Sequence, residues 1–144
     1  MRLQLLALLA AVAGLAVSIY LTAVHYAGVP LACPTTSTVN CEAVLSSSYA
    51  VIAGSPVPTS AAGIAWFALS ACIAAAVLLA RGATKWTRVQ LAWSAIGLVT
   101  ILYLVFIEIV RLGVICAWCS VAHSLVLLIF LIALPRPGAP PARE

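Results

Sequence analysis

The sequence predicts an all-α integral membrane protein: a four-helix bundle with an outward loop and a short surface helix between helices one and two. Two observations predict this class. The 144 residues are 65% hydrophobic and 7% charged, whereas an ordinary globular domain carries about 25% charged residues. Four long apolar runs also follow one another along the chain. This composition excludes a soluble enzyme and a disordered chain, and the scattered basic residues argue against a nucleic-acid binder.

The apolar runs cover residues 3–26, 61–80, 89–109 and 114–134. Each is near the roughly 20 residues that a helix needs to cross a bilayer. Because backbone hydrogen bonds must be satisfied internally in lipid, we expect each run to form a helix. We assign residues 1–135 to one transmembrane domain and the proline-rich residues 136–144 to a disordered cytoplasmic tail.

The basic residues indicate how the bundle is oriented. The loop 27–60 contains no Lys or Arg, and six basic residues lie on the other side of the alternating helices: Arg2, Arg81, Lys85, Arg88, Arg136 and Arg143. By the positive-inside rule, both termini are cytoplasmic and the loop faces the periplasm or exterior. We therefore expect a multi-pass protein of the cell inner membrane. Arg111 is the exception, and we expect it to pair with Glu108 near the outer interface.

The outward loop has structure of its own. Pro30 and Pro34 disfavour a helix at its start. Asn40 is a suitable N-cap for a short surface helix from Cys41 to about Ala53. We expect the glycine and prolines that follow to end this helix.

Four of the five cysteines are predicted to meet at the outer face. Cys33 and Cys41 lie in the outward loop, and Cys116 and Cys119 form a Cys-Ala-Trp-Cys motif where the fourth helix begins. A helix N-terminus stabilises a thiolate, and residues three apart share one helix face. Two such pairs at one face indicate a relay by thiol–disulfide exchange. Cys72, within the second helix, is expected to be a small buried residue without a redox role.

Other interpretations of the cysteines remain open. Two structural disulfides would simply staple the outer surface. The wide spacing of Cys33 and Cys41 disfavours a four-cysteine zinc site, and no metal is expected. Covalent haem is disfavoured because Ser120, not histidine, follows the motif. A small multidrug-type transporter or a structural membrane protein is the alternative from another class, and it would leave the cysteine pairs without a purpose.

A redox relay at one face of an apolar bundle needs an electron acceptor. A quinone, either ubiquinone or menaquinone, suits this role because it enters between helices from the membrane lipid. His123 is four residues beyond Cys119, on the same helix face, and could donate a hydrogen bond to a quinone carbonyl. The alternative is a histidine that packs between helices and bonds a backbone carbonyl.

Together these features resemble the vitamin K epoxide reductase family, in its bacterial thiol-oxidase branch. The resemblance covers nearly the whole bundle. It is carried by the loop cysteines, by the run CEAVLSSSYA from Cys41 with the GSPVP that follows, and by the motif from Cys116 to Cys119. It implies a membrane thiol oxidase that supports disulfide bond formation. The alternative is that vitamin K epoxide or a quinone is the physiological substrate to be reduced.

The resemblance also implies a role for each cysteine. Cys33 would exchange with a soluble partner, Cys41 would attack Cys116, and Cys119 would react with quinone. Many bacterial members carry a thioredoxin-like domain fused after the bundle. Because the sequence stops about ten residues after the fourth helix, we expect the partner to be a separate periplasmic thioredoxin-like (DsbA-like) protein.

Three further residues match positions that line the family's quinone site. The resemblance places Ser47 on the surface helix near the active site. Thr59 lies where some members place a polar residue against the quinone. His123 occupies a position where animal members place a tyrosine.

Overall fold

The computed structural model describes residues 1–52, 55–81 and 83–135. These residues form no strand, and their five α-helices confirm the predicted all-α class: α1 Arg2–Ala27, α2 Cys41–Leu45, α3 Thr59–Leu79, α4 Thr84–Phe106 and α5 Ala117–Ala133. The end of α4 continues as a π-helix, Ile107–Leu112. The predicted tail, 136–144, lies outside the described residues, as do Ala53 and Gly54, so the domain boundary at residue 135 stays a prediction.

Three helices are long and apolar enough to cross a membrane: α1, α3 and the continuous stretch Thr84–Leu112. At 17 residues, α5 is shorter, about 26 Å at the usual rise of about 1.5 Å per residue. Its membrane crossing therefore stays a prediction. Both α1 and α4 pack against α3 and α5. Each of the four long helices thus contacts two neighbours, and a cavity lies among them.

Helix α4 starts five residues before the predicted residue 89, at Thr84. The prediction followed the apolar run alone and excluded Lys85 and Arg88. Long basic side chains lay their apolar stems along a helix and direct their charges to water, so a transmembrane helix extends beyond its apolar part. In contrast, α1 and α3 begin and end within two residues of the predicted limits.

The predicted surface helix is much shorter than expected. It begins at Cys41, where the Asn40 side chain accepts a hydrogen bond from the Ala43 N–H at 3.0 Å, which confirms the predicted N-cap. It ends at Leu45 rather than near Ala53. Three serines follow, and the Ser47 hydroxyl donates to the Val44 carbonyl oxygen at 2.7 Å. Serine side chains that bond nearby backbone compete with helix continuation, which explains the early end.

Small residues let the transmembrane helices approach closely. A side chain at Gly14 in α1 would collide with the ring of Phe67 in α3. Gly97 in α4 faces the ring of Trp66 in the same way. In lipid, helices associate through such close van der Waals packing because there is no hydrophobic driving force between them.

Cys72 is exposed on the surface of α3, so the prediction that it is buried was wrong. An apolar residue of a membrane helix is equally compatible with the lipid-facing side and with the bundle interior. Hydrophobicity alone therefore does not place it.

We predict that Gly14→Val lowers the free energy of unfolding in detergent by about 1–3 kcal/mol, because Phe67 must leave its position. Thermal unfolding of the purified protein measures this change. The matched control is Ala13→Val, on the exposed neighbouring position, which should leave the midpoint unchanged. Equal midpoints for the two variants would contradict the close packing of α1 on α3.

Candidate functional site

The two loop cysteines form a disulfide, Cys33–Cys41. They differ in accessibility, because Cys41 is 1% exposed whereas Cys33 is only partly buried. Asn40 determines the position of Cys41, since its N-cap makes Cys41 the first residue of α2. The pair therefore has an outer sulfur that a soluble protein can approach and an inner sulfur enclosed by the fold.

A short parallel β-bridge joins this loop to the segment that leads into the second cysteine pair. It pairs Val39 with Ile115. The Asn40 N–H donates to the Ile115 carbonyl at 3.1 Å, and the Ile115 N–H donates to the Thr38 carbonyl at 2.9 Å. Cys41 lies two residues after Val39, and Cys116 lies one residue after Ile115. The chain thus brings the inner loop cysteine beside the start of α5.

A side-chain contact holds the other end of the loop. The indole N–H of Trp118, inside the Cys-Ala-Trp-Cys motif, donates to the Ala32 carbonyl at 2.8 Å. Its ring also packs against Tyr20 of α1, with centroids 5.1 Å apart. Ala32 precedes Cys33 and contacts the motif itself, whereas Asn40 precedes Cys41 and contacts Ile115, the residue before the motif.

The motif cysteines are free thiols at the start of α5. Cys116 is the N-cap residue, and its sulfur accepts a hydrogen bond from the Cys119 N–H at 3.2 Å. A sulfur here takes the place of the usual hydroxyl or carboxylate cap. This bond holds the Cys116 sulfur over the first turn of α5, next to the other cysteine of the motif.

Cys119 opens on a cavity of about 320 Å³ among the helices. This volume lies within the usual range of small-molecule sites, about 300–1,000 Å³. Most of its lining is aliphatic and aromatic, including Trp66 and Phe67. One turn beyond Cys119, His123 lines the same cavity. An apolar molecule in this cavity would contact the sulfur that the loop disulfide does not cover.

The sequence-predicted site residues converge here. Ser47 and Thr59 line the cavity together with His123 and Cys119. They come from the turn after α2, from the start of α3 and from α5, so three separate elements contribute. Their binding roles stay predictions, and the structure adds that one molecule could touch all of them.

The predicted ion pair between Glu108 and Arg111 does not form. Glu108 is 5% exposed, its Oε2 accepts a hydrogen bond from the Cys116 N–H at 3.3 Å, and it lines the cavity. It does not pair with Arg111, which is exposed and forms no ion pair among the described residues. The expected pairing assumed α-helical spacing, but both residues lie in the π-helix, whose wider turn does not stack residues three apart. An acidic residue inside an apolar run was itself the signal that could have found it.

The described residues contain no group of three or more potential metal ligands. Cys33 and Cys41 are bonded to each other and so offer no thiolates to a metal. The chemistry available in the described site is exchange between two cysteine pairs, with one sulfur facing an apolar cavity.

We predict that Trp118→Phe speeds backbone hydrogen exchange in residues 31–40 by about 2- to 10-fold. The variant loses one hydrogen bond, with a net contribution of about 0.5–1.5 kcal/mol. Exchange measured by mass spectrometry reports the change. Trp93→Phe is the control, because it removes an indole bond to Ser70 at 3.0 Å, away from the loop. Unchanged exchange in Trp118→Phe would mean that this bond does not hold the loop.

Two comparisons with known proteins bear on the site. The model of the vitamin K epoxide reductase family matches residues 5–134, from α1 through α5. A search of the curated proteins finds no match.

Proposed function

Because the chain belongs to the vitamin K epoxide reductase family, we propose that it is a membrane thiol oxidase that passes electrons from an extracytoplasmic protein to a quinone. The family makes it a membrane oxidoreductase. The observation that carries the finer proposal is the β-bridge between Val39 and Ile115, which places a loop disulfide beside a second cysteine pair that borders an apolar cavity.

The first step is the transfer of electrons to the loop. A reduced thioredoxin-like (DsbA-like) protein attacks Cys33, the more accessible sulfur of the disulfide. A mixed disulfide forms as the Cys33–Cys41 bond breaks, and a second thiolate of the partner then resolves it. The partner leaves oxidised, and Cys33 and Cys41 become thiols.

The second step is exchange between the two pairs. The Cys41 thiolate attacks Cys116 of an oxidised Cys116–Cys119 bond, and Cys119 leaves as a thiolate. Cys33 then attacks Cys41, which restores the loop disulfide and releases Cys116. This exchange leaves an oxidised loop and two motif thiols, from which the third step starts.

The third step reduces the quinone, which is a substrate. Cys116 and Cys119 lose two electrons and two protons as their sulfurs bond, and the quinone gains both to become a hydroquinone. Cys119 is the thiol that faces the cavity, so it makes the contact with the quinone. The buried Cys116 sulfur, which already accepts the Cys119 N–H, lies where it can close the disulfide.

The cavity suits a quinone in its chemistry. Its apolar walls match a ring with a hydrocarbon tail. His123 adds a ring N–H that can donate to a carbonyl oxygen. The hydroxyls of Ser47 and Thr59 also line the cavity, but they donate to the Val44 and Tyr49 carbonyls and would have to turn to bond a quinone. Ubiquinone and menaquinone both have the two ring carbonyls that this arrangement would recognise.

We assign the protein to the cell inner membrane, with both termini in the cytoplasm and the cysteines facing the periplasm or exterior. The absence of Lys and Arg from residues 27–60 supports this orientation. An oxidising compartment is also where a loop disulfide persists.

The transporter alternative needs an acidic group among the helices, and Glu108 supplies one. That carboxyl group, however, accepts a hydrogen bond from the backbone N–H of Cys116. The bond ties it to the cysteine motif, so it favours the oxidoreductase. No feature of the cavity selects vitamin K epoxide over a quinone.

We predict that Cys119→Ala reduces quinone turnover to the background rate, because no thiol then faces the cavity. In this variant the Cys116 thiolate can attack Cys41 of the loop disulfide, with Cys33 as the leaving thiolate, and the resulting Cys41–Cys116 mixed disulfide should be detectable by peptide mapping. Cys72→Ala is the matched control and should keep full turnover, since Cys72 lies on the surface of α3. Normal quinone reduction by Cys119→Ala would exclude the assigned role.

We predict that His123→Phe raises the Kd for a quinone about 3- to 10-fold, which corresponds to the loss of about one hydrogen bond. Quenching of the fluorescence of Trp66, which lines the cavity, measures binding directly. An unchanged affinity would leave His123 as a packing residue only.

A further inference from the structure

Glu108 is a buried ionisable group that the steps above do not use. It lies in the π-helix Ile107–Leu112, at 5% exposure. Short π-helical segments within α-helices often occur at functional sites. Here the π-helix follows the face of α4 that lines the cavity and includes Gly97, Thr100, Ile101 and Leu104. Among the described residues that line the cavity, Glu108 supplies the single carboxyl group.

This carboxyl group has no positively charged partner among the described residues. The described residues provide no cation within ion-pair distance, and the nearby Arg111 is exposed. Its hydrogen-bond partner is the Cys116 N–H, at 3.3 Å from Oε2. A glutamine would hold the Cys116 N–H equally well. Capping that donor therefore does not explain why an ionisable group occupies this position.

We propose that Glu108 is a catalytic residue that carries thiol protons from the motif cysteines to the quinone. It takes the proton of Cys119 when that sulfur acts as a thiolate, and it releases the proton to a quinone oxygen in the shared cavity. It then does the same for Cys116 as the disulfide closes. One S–S bond forms, two electrons and two protons reach the quinone, and Glu108 ends in its starting state.

Two observations support this role. The carboxyl group lines the cavity that Cys119 faces, so a bound quinone would lie against both groups. It also bonds the backbone of the second reacting cysteine. His123 lines the same cavity one turn further along α5, and it remains free to orient the quinone by a hydrogen bond.

This inference rests on the proposed quinone reduction, and its test separates the two. The full chain, purified in detergent and chemically reduced, is mixed with menadione, and hydroquinone formation is followed in a single turnover. Glu108→Gln keeps the size of the side chain and an oxygen acceptor for the Cys116 N–H, but it does not carry a proton at neutral pH. We expect its rate to fall by about 100-fold or more, with menadione affinity and thermal midpoint unchanged.

Glu42→Gln is the matched control. Glu42 is an exposed carboxylate on α2, outside the cavity, and this variant should react at the wild-type rate. If the reduced wild-type protein does not reduce menadione, the proposed function is wrong. An active wild type together with an equally active Glu108→Gln would overturn only the role of Glu108.

Glu108→Asp keeps the carboxyl group but shortens the side chain by one methylene, which moves the group away from the thiol. We expect its rate to lie between those of the wild type and Glu108→Gln, and its solvent deuterium isotope effect to exceed that of the wild type, because proton transfer becomes more rate-limiting. Equal losses in the Asp and Gln variants would assign Glu108 a purely geometric role. If Glu108→Gln does not fold, the isotope effect decides: a slower Asp variant without an increased effect overturns the proposal.

Discussion

A two-residue β-bridge holds the site together. Pairing of Val39 with Ile115 joins a loop of more than thirty residues to the short segment between α4 and α5. Two backbone hydrogen bonds across it bring Cys41 and Cys116, both buried, to the same end of the bundle. Without this contact, each cysteine pair would be an isolated redox couple. Thiol–disulfide exchange needs one sulfur to approach another, and a backbone pairing one or two residues away keeps Cys41 and Cys116 near each other.

The helices contribute a different property, which is a largely apolar cavity next to Cys119. Close packing at Gly14 and Gly97 brings α1, α3 and α4 together, while Cys119 and His123 face the space that remains. In such a space a carboxyl group interacts strongly with the few polar groups around it. The π-helix places Glu108 there, so the departure from α-helical geometry lies beside the cysteine motif.

Several features could be predicted because they depend on local patterns. The apolar runs located α1 and α3 closely, and Asn40 marked the start of α2. The predictions were less accurate where polar residues decided the outcome. Serines after Leu45 ended α2 early, and basic residues before residue 89 were already helical. Hydropathy measures how apolar a segment is, whereas helix limits also depend on side-chain hydrogen bonds and on long polar side chains at the membrane surface.

By itself the sequence determined that the chain is a helical membrane protein with two cysteine pairs near one end, since length, hydropathy and residue order suffice for this. Only the tertiary structure decided which way individual side chains face. It turned Glu108 toward Cys116 and left Cys72 on the surface, in both cases against the sequence-based expectation. The physical reason is that an apolar run does not distinguish lipid from bundle interior, and a π-helical turn changes the direction of every side chain after it.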